Sequence, residues 1–193
     1  MKNYQILFKI MTFVLSIVFI SEIHAQTLDK NQLLEFNQKR HKINTVGMSI
    51  LGTWAVGNIA VGSIAYYNTQ GTTKYFHQGN AMWNVVNLGL AGFSLFGSMR
   101  ENYGDWTFYD TFQEQNKLEK IFLFNTALDV AYVSTGFLLM QAAKNNAARH
   151  DQFKGYGQAL ILQGGFLFVF DLAMYIIHNK HSQPFFKAGM INF

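Results

Sequence analysis

Beyond residue 43 the chain alternates long apolar stretches with short polar breaks. The stretches cover roughly residues 44–66, 80–99, 121–143 and 158–178. Each approaches the ~20 residues that an α-helix needs to cross ~30 Å of hydrocarbon. Asn68-Thr69-Gln70-Gly71 separates the first two, and the polar segments around Lys144-Asn145-Asn146 and Lys154-Gly155 separate the last two. Strict period-two alternation is absent, which argues against an outer-membrane barrel. A soluble four-helix bundle needs a charged face on every helix, and these stretches have none. The pattern predicts an all-α fold, a membrane-spanning antiparallel four-helix bundle over residues 44–179.

The flanking segments extend this picture. Lys2 and Lys9, the apolar run of residues 10–20 and Ala25 before Gln26 have the layout of a secretory signal peptide over 1–25. Residues 26–43 place Leu28, Leu33, Leu34 and Phe36 among charged and amide residues, as a short interfacial amphipathic helix would. The loop from 100 to 120 carries Tyr103, Trp106, Phe108, Tyr109 and Phe112, aromatics that favour the headgroup layer. Residues 180–193 form a tail. A cleaved signal puts 26–43, the 100–120 loop and the tail on the outer face, side A. Side A then holds nine basic residues (Lys30, Lys39, Arg40, Lys42, Arg100, Lys117, Lys120, Lys180, Lys187). Side B holds four (Lys74, Lys144, Arg149, Lys154). That bias runs against the positive-inside rule. The signal acts first, so the expected location is the bacterial inner membrane, multi-pass, with side A outward.

Composition narrows the chemistry. Of 193 residues 50% are hydrophobic and only 13% charged, with one proline and no cysteine. A soluble domain averages roughly 25% charged residues. Disulfide scaffolds, cysteine-ligated metal centres and thiol enzymes are excluded. A dispersed net charge of +4 does not point to nucleic acid. The expected partners are the lipid bilayer and either a second copy or another membrane protein.

Ionisable groups inside apolar stretches are costly, about 2.5–3.5 kcal/mol each at a helix centre on insertion scales. Two stand out, Asp129 and Asp171. Counted from side A, both lie ~11–12 Å deep at 1.5 Å per residue, on consecutive antiparallel helices. If the two carboxyls meet, they make a candidate site for a shared proton or a bound cation. A polar core of Asn58, Asn84, Thr135 and Gln163 is expected one layer deeper, with Asn87 between the layers and Asn125 on the stripe of Asp129. Gln163, Leu167, Asp171, Met174 and His178 fall on one stripe of the fourth stretch. Small residues at Ser49, Thr53 and Gly57 suit close helix packing, inside the bundle or at a dimer seam.

No catalytic set is expected. There is no HExxH, no di-iron carboxylate–histidine motif, no phosphate or dinucleotide loop and no G-x-S-x-G elbow. His41 and His178 fall at the side-A boundary and His77 and His150 at side B, so no pair faces mid-span as axial haem ligands would. His178 reads as an interfacial cap residue. No metal and no cofactor is expected, and the protein reads as a non-enzymatic structural or partner subunit. The alternative is a proton- or cation-conducting component using Asp129 and Asp171. The Ile23-His24-Ala25-Gln26 junction and the GGFLFVFD run from Gly164 to Asp171 resemble an uncharacterised group of bacterial four-helix membrane proteins with a signal peptide. That resemblance covers residues 1–180 and implies no activity.

Overall fold

A computed structural model describes residues 29–190. The expected signal segment and residues 26–28 lie outside the described residues. The described chain is all-α. Its four α-helices are α1 (Lys30–Asn68), α2 (Gly71–Ser98), α3 (Phe108–Lys144) and α4 (His150–Met190), with 3-10 turns at Tyr103–Asp105 and Ala147–Arg149. Side A is the end that carries the N-terminus of α1.

Local chemistry explains the boundaries. The turn between α1 and α2 is only Thr69 and Gln70, and it closes because Gly71 takes φ 56°, a left-handed conformation that strains any residue with a Cβ. Helix α3 starts with a reciprocal cap: Thr107 Oγ1 accepts from the Asp110 amide (3.2 Å), and Asp110 Oδ2 accepts from the Thr107 amide (2.9 Å).

Three expectations about the flanks are corrected. Residues 30–43 are not a separate interfacial helix but the first turns of α1, because nothing between Lys30 and Asn44 breaks a helix. The 100–120 loop is helical from Phe108 onward. Residues 180–190 continue α4 through Pro184, so they are no loose tail. Three helices therefore overrun the apolar stretches on side A. At 1.5 Å per residue α1 is ~58 Å long, against ~30 Å of hydrocarbon.

α1 packs against α2 and α3 against α4, and α2 joins the two hairpins by packing on α4. The α3–α4 crossing is close because Gly136 and Gly157 meet there. A Cβ on Gly136 would lie 2.7 Å from the Gly157 carbonyl oxygen. α2 and α3 stay apart, with no Cα atoms within 8 Å of each other. Side chains still reach across, as Trp83 and Tyr132 do, with ring centroids 4.7 Å apart. The apolar core gathers Met48, Leu51, Ala91, Phe122, Leu167, Phe170 and Met174.

The distribution of polarity is inverted relative to a water-soluble bundle. Phe93, Phe124, Val130, Phe137 and Val169 are exposed, whereas Asn84, Gln163, Asp129 and Asp171 are buried. Helices α1, α3 and α4 are long and apolar enough to cross a membrane. α2 is not among them, which corrects the expectation of four such stretches. Asn80, Asn84 and Asn87 dilute its hydropathy, and all three are turned inward.

Candidate functional site

Stripes of inward residues assemble the centre of the bundle. On α4, Gln163, Leu167, Asp171, Met174 and His178 are all buried, as their helical spacing predicts. On α3, Asn125, Asp129, Tyr132 and Gly136 share the facing stripe, with Asp129 and Gly136 buried. The two aspartates meet. Their carboxyls are close neighbours and line one cavity, together with Asn125. Asp129 is 2% exposed and Asp171 5%, and Asp129 Oδ2 has no hydrogen-bond partner among the described residues.

Both carboxyls open into a cavity of about 300 Å³. Its floor is Met48 and Leu51 of α1 with Leu167 and Phe170 of α4, all buried. Its walls are α2 and α3, and its mouth lies between them, where Val86, Leu90 and Ile121 are exposed. The cavity exists because α2 and α3 do not pack together. Asn87 projects from the α2 wall, and Asn44 donates to Ser94 Oγ (3.1 Å) at the side-A rim.

Deeper, toward side B, amides form a connected network. Gln163 Oε1 accepts from Trp54 Nε1 (3.1 Å), and Gln163 Nε2 donates to Asn80 Oδ1. Asn80 donates to Asn58 Oδ1 (2.7 Å), Asn84 to the Asn80 carbonyl (2.8 Å), and Asn87 to Asn84 Oδ1 (3.3 Å). Asn58, Asn84, Asn87 and Gln163 are thus joined in one hydrogen-bonded network. Thr135 is not. It faces outward and donates to the Ala131 carbonyl of its own helix (2.8 Å), because one residue's rotation carries it off the stripe of Asp129 and Gly136. Asn80 and Trp54 join the network in its place. Asn80 was legible from its i, i+4, i+7 spacing with Asn84 and Asn87, whereas nothing local marked Trp54.

A second buried polar cluster fills the side-A extension, and sequence reasoning missed it. Asn37 donates to Thr111 Oγ1 (2.9 Å) and Arg40 Nη1 to the Thr111 carbonyl (3.4 Å). Gln115 donates to Glu119 (2.8 Å) and to the His178 carbonyl (3.0 Å), and Ser182 donates to Glu119 (2.6 Å). The Arg40 guanidinium sits 4.7 Å from the Trp106 ring centroid. His178 is not an interfacial cap. Its ring is buried and stacks on Phe122 (5.5 Å), with neither ring nitrogen bonded among the described residues. The aromatics assigned to the headgroup layer partly serve this extension instead, with Phe108 and Phe112 packing on Phe186. Spacing held the clue: Asn37, Arg40 and Asn44, like Thr111, Gln115 and Glu119, continue the inward stripes beyond the apolar stretches.

The small-residue stripe also turns outward. Ser49, Thr53 and Gly57 are exposed and line a shallow groove beside Phe166, so they do not pack inside the bundle. Outside the apolar stretches, Asp151 at the start of α4 accepts from Thr72 Oγ1 of α2 (2.6 Å). That bond and the neighbouring His150 hold its carboxyl below the usual carboxylate range. Tyr103, half-buried and donating to Glu101, is held above the usual phenol range, mainly by desolvation.

Residues 50–172 match a family of unknown function, DUF6992. No curated protein and no solved structure matches the chain. The match spans most of the bundle, Asp129 and Asp171 included, and the chain belongs to this family.

Proposed function

We propose that this member of the DUF6992 family is a non-enzymatic multi-pass membrane protein whose Asp129–Asp171 pair holds a proton or a cation inside the bundle. The observation that carries this reading is the unpartnered Oδ2 of Asp129, buried beside a second carboxyl in a cavity. In a low-dielectric interior two adjacent carboxylates repel and lose their hydration. A shared proton or a bound cation removes that cost. The amide network supports a different, structural role for the other polar residues, since its members bond one another and fix the register of α1, α2 and α4.

The outward, apolar helix faces support a bilayer as the surrounding medium. A bacterial inner membrane, entered through an N-terminal secretory signal, fits the charge and apolar pattern of residues 1–25. The groove at Ser49, Thr53 and Gly57 favours, as a second reading, a subunit that packs against another copy or another membrane protein.

Dicyclohexylcarbodiimide tests the carboxyl reading, because it adds to protonated carboxyls in apolar surroundings. We expect mass spectrometry of the labelled protein in lipid nanodiscs to place the adduct on Asp129 or Asp171. Labelling should slow as pH or sodium concentration rises, and it should vanish in the doubly substituted Asp129→Asn/Asp171→Asn protein. Labelling that ignores both pH and sodium, or that falls elsewhere, overturns the proposal. Ion flux in proteoliposomes that differs between wild type and the single variants would add conduction to binding.

A further inference from the structure

We infer that the cavity between α2 and α3 binds a small organic ammonium ion, which enters through the side of the bundle. This inference rests on the carboxyl-pair reading and names the class of cation that the pair takes. Three features of the cavity carry it, and the first is charge. Asp129 and Asp171 line the cavity, and no lysine, arginine or histidine does among the described residues; Tyr132 is the remaining titratable group. Its charge complement is a cation.

The second feature is the wall. Trp83, Phe122, Tyr132 and Phe170 line the same cavity as the carboxyls, and aromatic rings sharing a pocket with a carboxylate recognise alkylated ammonium through cation–π attraction and apolar contact. A bare metal ion would instead need several oxygen ligands. Asp129 and Asp171 supply the only carboxylates at this cavity among the described residues, and no group of three or more His, Asp or Glu that could hold a metal ion occurs there.

The third feature is size and access. About 300 Å³ is at the lower end of ligand pockets and suits a molecule of about ten to fifteen non-hydrogen atoms. It is far larger than the voids of an ordinary close-packed interior. The mouth is framed by Val86, Leu90 and Ile121, apolar residues on the outward faces of α2 and α3. An amphipathic cation partitioned into the bilayer would meet this mouth directly.

Benzyltrimethylammonium, an aryl quaternary ammonium of suitable size, is the probe, and neopentylbenzene is its neutral isostere. Equilibrium dialysis against the protein in nanodiscs should show one benzyltrimethylammonium bound per chain. Binding should weaken about tenfold or more in Asp171→Asn and in Val86→Trp. The second variant narrows the mouth from an exposed, lipid-facing position and leaves the carboxyls and the folded core intact. The same probe should protect Asp129 and Asp171 from the carbodiimide, and neopentylbenzene should not. If sodium and pH control the labelling but benzyltrimethylammonium neither binds nor protects, the inference falls and the carboxyl-pair reading stands. If neopentylbenzene binds equally well, the cavity is a lipid-filled apolar space and the inference also falls. If no aspartate is labelled under any condition, both fall together.

Discussion

At the scale of single residues, the backbone and the exposed carboxylates make separable demands. Gly71 is the only residue with a positive φ among those described, and it closes a two-residue turn. Gly71→Ala should lower stability by about 1–2 kcal/mol, the cost of a left-handed residue that carries a Cβ. Gly89→Ala, in a helix with open space around the new methyl, should be neutral or mildly stabilising. Thermal unfolding in detergent separates the two, and equal shifts would contradict the assignment of the turn. Asp151 titrates below the usual range in the folded chain, so the unfolded chain takes up its proton first as the pH falls. Its contribution is therefore complete near neutral pH and is lost on acidification through the carboxylate range. The stability difference between wild type and Asp151→Asn should shrink along that path; a difference unchanged down to strongly acidic pH would show that Thr72 and His150 do not favour the charged form.

At the scale of elements, helical periodicity was a better guide than depth. The stripes on α2, α3 and α4 were legible because an inward residue recurs every three or four positions, and the Asp129–Asp171 encounter follows from two such stripes at matched depth. Thr135 was assigned by depth alone, and it lies on the wrong side of its helix. Gln163→Leu would leave Trp54 Nε1 and an oxygen of Asn80 without partners and should cost about 1–2 kcal/mol. Thr135→Val should change stability by less than about 0.5 kcal/mol, since its hydroxyl bonds only to its own helix. Comparable losses in the two variants, read from thermal midpoints in the same detergent, would contradict the network. The ends of elements were less legible. Polar composition at residues 30–43 and 108–120 reads as surface when each segment is taken alone. Asn37, Arg40, Thr111 and Gln115 are buried there because three helices extend together, and Asn37 and Arg40 bond to Thr111.

At the scale of the whole molecule, the inverted distribution of polarity makes a prediction about the surrounding medium. The chain has no cysteine, so each introduced one reports alone. Phe93→Cys and Val130→Cys lie on exposed apolar faces and should stay silent to a membrane-impermeant maleimide in intact vesicles. Lys117→Cys and Lys144→Cys, near opposite ends of α3, should label from opposite sides. A bundle surrounded by water would label at all four. The all-helical class, the apolar stretches and the inward stripes were determined by the sequence itself, because helix length and periodicity are local properties of the chain. Which helices pack and which stay apart is not local. The separation of α2 from α3, the cavity it leaves and the burial of Arg40 and His178 depend on contacts between residues distant in the chain. Close passage of Gly136 past Gly157 draws α3 onto α4, while α3 and α2 bring no Cα atoms within 8 Å of each other. That asymmetry of packing, decided by the tertiary structure alone, leaves two buried carboxyls facing a cavity.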